Sequence, residues 1–165
     1  MRRRADSMTG NVKAAHPRAG FYAGIIAGVV ATLAQIALWS IFEENSWLYL
    51  LNRDARLTAA ILMGKQVLLP PVTFDWQVMI VATLIHLALS IAYGFVFVFL
   101  IFRLHPSQWL AGGVIYGMAI YGVNMHVMTF IFPWFIEVRD WITIVVHVVF
   151  GACLAYAYKK LSIKS

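Results

Sequence analysis

Four long apolar blocks alternate with short polar segments along this chain. The first runs from Gly20 to Phe42, the second from Trp76 to Phe102, the third from Trp109 to Phe132 and the fourth from Trp141 to about Tyr158. A helix rises about 1.5 Å per residue, so each block can cross a hydrocarbon core of about 30 Å. The second block is longer than crossing requires and should tilt or project beyond the core. Trp76, Trp109 and Trp141 stand at block starts, where amphipathic rings settle at the headgroup level. The pattern predicts an all-α protein, an integral membrane four-helix bundle. It divides into a basic tail (1–19), one membrane domain (20–161) and a short tail (162–165).

The segment between the first two blocks, Glu43 to Asp75, is long and only mildly polar. Asn52 is a candidate N-cap for a short amphipathic helix from Arg53 to Met63, with Asp54 in its first turn and Gly64 just past its end. Leu57, Ile61 and Leu62 give that helix an apolar side. It is expected on the outer membrane surface or folded over the bundle mouth, as a lid or a partly buried connector. Pro70-Pro71 then prevents helix from continuing into the second block.

Composition supports the membrane reading. Of 165 residues, 62% are hydrophobic and 12% charged, against about 25% charged in soluble domains. The net charge of +6 lies mainly beside the blocks at the chain ends, which points to lipid and not to nucleic acid. One side of the predicted membrane holds Arg2, Arg3, Arg4, Lys13, Arg18, Arg103, Lys159, Lys160 and Lys164, nine of the thirteen Lys and Arg residues. The positive-inside rule therefore expects both termini in the cytoplasm. Six of the seven acids (Glu43, Glu44, Asp54, Asp75, Glu137 and Asp140) fall on the opposite side. The first block is too long for a signal h-region and is expected to be a retained anchor. Cys153 is the only cysteine, so no intrachain disulfide and no CxxC motif exists.

Small residues recur four apart: Gly20, Gly24 and Gly28 in the first block, Gly113 and Gly117 in the third, Gly151 and Ala155 in the fourth. Such stripes let helix backbones approach closely, within one chain or between subunits.

Candidate chemistry rests on His86, His126 and His147, one in each of the last three blocks. Ionisable groups in a membrane span are costly and mark candidate functional sites. Counted from Asp75, Pro133 and Asp140, the three lie roughly 16, 10 and 10 Å deep, close to one level. Ala82 and Ser90 flank His86 on its helix face, Gly122 lies a turn from His126, and Thr143 and Gly151 a turn either side of His147. Three converging imidazoles can hold a transition metal, two can ligate a haem iron, and a chain of them can relay protons. The alternative is that each histidine only hydrogen-bonds a neighbouring helix. No carboxylate lies deep in a block, which weighs against a di-iron site and a carboxylate-driven pump. Phosphate-loop, nucleophile-elbow and HExxH motifs are absent, which argues against hydrolase chemistry.

Trp109, Gly112-Gly113, Gly117, His126 and Pro133, with His86, Ser90, Tyr93-Gly94 and His147, form an order that resembles small bacterial inner-membrane proteins associated with acid tolerance. The resemblance covers the chain from the second block onward and implies a bacterial cytoplasmic-membrane location. The expected function is that of a non-hydrolytic membrane protein with a histidine-cluster site for a transition metal, haem or protons. The competing expectations are an oligomeric transport or channel subunit joined through glycine faces, and a structural subunit of a larger membrane complex.

Overall fold

The computed structural model describes residues 16–101 and 105–162. Most of the basic tail, Arg103 and Lys164 lie outside the described residues. Helix α1 spans Pro17–Phe42, α2 Trp47–Met63, α3 Trp76–Ile101, α4 Trp109–Gly122 and α5 Trp141–Ser162, and no strand occurs among the described residues. Beyond α4 the chain continues through a π-helical turn, Val123–Val127, and a 3₁₀ turn, Met128–Phe130. Four helical stretches are long and apolar enough to cross a membrane: α1, α3, α4 with its two turns, and α5. They point to a multi-pass membrane protein.

The helix boundaries follow local chemistry. Pro17 occupies the first turn of α1, where its fixed φ and missing N–H cost nothing, so α1 starts before Gly20. Helix α2 starts at Trp47 rather than Arg53, because the Ser46 hydroxyl accepts the Leu48 N–H at 3.3 Å and supplies the cap. Asn52 is therefore an interior, buried residue. The end at Gly64 is as expected, with φ +86°, a conformation that favours glycine. Asp75 caps α3 by accepting the N–H groups of Gln77 and Val78, and Asp140 caps α5 through Thr143. Each carboxylate also sits at the positive end of a helix dipole.

Packing is set by small residues. Helix α1 lies between α3 and α5, and α5 lies between α1 and α4. A Cβ on Gly20 or Gly24 would strike the α3 side at Val98 and Gly94 or at the Ser90 carbonyl. A Cβ on Gly113 or Gly117 would strike the Gly151 or His147 carbonyl of α5. These glycine faces are thus consumed inside one chain, and the expectation that they join subunits finds no free face here. Ala19, Ala23, Ala27 and Ala31 form an adjoining stripe in one core cluster with Ile142, Val146, Phe150 and Leu154 of α5. Ile80, Leu84 and Ile115 are exposed on the outside, as suits an apolar solvent.

Helices α3 and α4 do not pack backbone to backbone. They meet through long side chains: the Tyr116 hydroxyl donates to the Tyr93 carbonyl at 2.8 Å, and the Phe97 and Tyr116 rings lie 5.3 Å apart. Helix α2 lies against α3 and touches α1. Arg56 donates to the carbonyls of Val67 and Thr73 at 2.8 and 2.9 Å, tying the connector after α2 to that helix. Trp134 Nε1 donates to the Leu57 carbonyl at 2.9 Å.

Gly117→Leu and Gly24→Leu should each cost about 1–3 kcal/mol, because the added side chain meets backbone that cannot turn aside. Gly122 has nothing within 4 Å of a built Cβ, so Gly122→Ala should be neutral or gain up to about 1 kcal/mol. Thermal unfolding in mild detergent checks all three, and equal stability of the two leucine variants and the parent would refute the crossing.

Candidate ligand cavity

The separation of α3 from α4 leaves a cavity of about 640 Å³, with walls from all five helices and from the 123–138 turns. Most of the lining is apolar. Its polar groups include Thr32 and Gln35 of α1, Asp54 and Thr58 of α2, His86, Ser90 and Tyr93 of α3, Asn124 and His147. An apolar cavity with a few convergent polar groups is the usual form of a small-molecule site.

On one wall the hydrogen bonds run in a single direction. The Tyr93 hydroxyl donates to Asn124 Oδ1, which orients the amide with Nδ2 toward His147 Nε2 at 3.3 Å. His147 Nδ1 lies 2.7 Å from the Thr143 carbonyl one turn back. A carbonyl only accepts, so Nδ1 carries the proton and Nε2 offers its lone pair to Asn124. This pattern describes a neutral imidazole with both nitrogens committed.

The facing wall holds His86. Its Nε2 lies 3.2 Å from the Gly28 carbonyl and 3.2 Å from Thr32 Oγ1, across the close α1–α3 crossing. The carbonyl again places the proton on Nε2. Nδ1 is left as an acceptor with no hydrogen bond among the described residues.

His126 is elsewhere. It lines a second pocket of about 370 Å³ with Val127, Thr129, Phe130, Ile136 and Arg139. The Tyr121 ring stands edge-on to both imidazoles, 5.7 Å from His126 and 5.6 Å from His147. Helical periodicity explains the split. Gly117 faces α5, and Asn124 is seven residues on, two turns along the same face. His126 is nine residues on, about half a turn away. The structure therefore brings His86 and His147 to one cavity and leaves His126 outside it. Among the described residues no three His, Cys, Asp or Glu side chains stand close enough to hold a metal ion. Asn124 Nδ2 stands on the Nε2 side of His147 in this arrangement.

Sequence reasoning noted Asn124 only as a neighbour of the histidines and Asp54 only as a first-turn residue, and gave neither a place in the site. Asn124 was legible as the next polar position on the Gly113–Gly117 stripe. Asp54 stood in a connector, and nothing local says that α2 turns it toward the cavity. Its carboxylate accepts from Arg53 Nε at 2.9 Å and from Gln35 Nε2 at 3.2 Å, with 22% of the side chain exposed. Burial strips its water and pushes its pKa up to about 6, against the pull of Arg53 and the Gln35 hydrogen bond, with the charge of Asp140 adding to the rise. No family model, curated protein or solved structure matches the chain.

A carboxyl with a raised folded-state pKa binds its proton more tightly when folded, so stability should fall as pH rises from about 4 through about 6. Asp54→Asn should flatten that fall and leave the protein more stable by roughly 1–3 kcal/mol at pH 7. Unfolding followed between pH 4 and 8 checks it, and parallel curves for parent and variant would show that Asp54 is not the titrating group. Asn124→Leu leaves the Tyr93 hydroxyl and His147 Nε2 unpaired and should cost about 1–3 kcal/mol. The measurement is again unfolding in detergent, and a variant as stable as the parent would sink the network.

Proposed function

We propose that this chain is a membrane-embedded binding protein whose site is the α1–α5 cavity. Its ligand is an amphipathic small molecule with an apolar body and a hydrogen-bonding head. The observation that carries the reading is a large, mostly apolar volume whose few polar groups include His86 and the Asn124–His147 pair. His86 Nδ1 and the hydroxyls of Thr58 and Ser90 receive the head, and the leucine and phenylalanine lining receives the body. The committed state of His147 favours this role over metal ligation. In this reading both termini are cytoplasmic, α2 lies on the outer side of a bacterial cytoplasmic membrane, and the lipid bilayer is the chain's principal partner.

A second reading is favoured by Asp54. A carboxyl that titrates near pH 6 at the cavity wall, facing Arg53, Gln35 and the charge of Asp140, links occupancy to a proton. The protein then moves or releases its ligand in response to acid.

A compound with a flat apolar body and one amine, 1-aminoanthracene, tests the site. Binding to the folded form alone raises the melting temperature by mass action. The parent and His126→Ala should show the rise, and Thr58→Trp, which fills the cavity from α2, should lose it. An equal rise in Thr58→Trp, or none in the parent, would place the site elsewhere.

A further inference from the structure

The second pocket, beside Arg139, carries a site of its own, and it stands independently of the cavity reading. Arg139 follows the 3₁₀ turn Pro133–Val138, and its Nη2 donates to Thr129 Oγ1 at 2.9 Å. The Thr129 hydroxyl spends its proton on the His126 carbonyl at 2.9 Å or the Met125 carbonyl at 3.3 Å. Its lone pair is thereby left for the guanidinium. Thr129 itself is buried, so Arg139 is held by a fixed point before any ligand arrives.

Among the described residues Arg139 forms no ion pair. The ion pair found among the described residues is Arg53 with Asp54. Asp140, next in the chain, uses Oδ1 to cap α5 through Thr143, and Glu137 is exposed. The exposed Arg139 fork retains donors that match a phosphate group bidentately. The exposed His126 ring lines the same pocket and supplies a second polar group. Around this cationic point the surface is apolar and open: Phe130 is 89% exposed, Ile136 55% and Val127 51%. A free anion has no use for such a rim, whereas a lipid does. The pocket also stands at the end of a membrane-compatible helix, and the exposed Trp141, two residues beyond Arg139 in the chain, opens the next one.

We propose that this pocket binds one anionic phospholipid, with its phosphate on Arg139 and its acyl chains along Val127, Phe130 and Ile136. The test uses the full chain in mild detergent, with native mass spectrometry after addition of phosphatidylglycerol or of phosphatidylethanolamine with the same acyl chains. The parent should retain phosphatidylglycerol preferentially. Arg139→Gln should reduce that retention about tenfold, with Arg139→Lys between the two. Phe130→Ser keeps the charge and should also weaken retention, which guards against an Arg139 variant that fails to fold. Equal retention of both lipids by the parent, or undiminished retention by a folded Arg139→Gln, would overturn the assignment. Full displacement of the lipid by millimolar inorganic phosphate would also overturn it, by making the pocket a free-anion site.

Discussion

Two close helix crossings built on glycine govern this bundle. At one, Gly20, Gly24 and Gly28 of α1 meet Ser90 and Gly94 of α3. At the other, Gly113 and Gly117 of α4 meet Gly151 and the His147 carbonyl of α5. Between apolar helices in an apolar solvent there is little hydrophobic drive, so close van der Waals contact and polar bonds must hold them. The crossings bring α3 to α1 and α4 to α5, and the alanine stripe of α1 joins the pairs. With both pairs tight, α3 and α4 are left bridged by aromatic and polar side chains. The cavity is the space this geometry leaves over.

Polar groups in the cavity obey the same economy. Each imidazole finds a carbonyl, Gly28 for His86 and Thr143 for His147, and so has a defined proton position. Asn124 donates with its amide nitrogen and accepts with its oxygen, and in doing so connects α3 with α5 through Tyr93 and His147. Hydrogen bonds of this kind orient helices that apolar contact alone would leave free to rotate.

The four long helices and the small-residue stripes were legible in the sequence, because length, apolar content and i, i+4 spacing are local properties. The α2 helix was legible in part: Gly64 marked its end, but Ser46 competed successfully with Asn52 for the cap. The sequence placed the histidines by their distance along each block. It said nothing of direction around the helix, and there His126 parts from His147. The face could have been read from Gly117 by counting two turns to Asn124. The approach of Asp54 to Gln35 could not, since it depends on how α2 folds back over α1 and α3.

Helix α2 gives the cavity one wall and packs against α3 without itself being one of the four membrane-compatible helices. Arg56 binds its connector, Trp134 binds its backbone, and its Ala55 and Ala59 pack with Val78 and Ala82 of α3. Variation along Leu51, Thr58 and Ile61 can therefore reshape the chamber without disturbing a single glycine crossing. A lineage bearing this fold is free to diversify what it recognises by changing α2 positions that lie outside the glycine crossings.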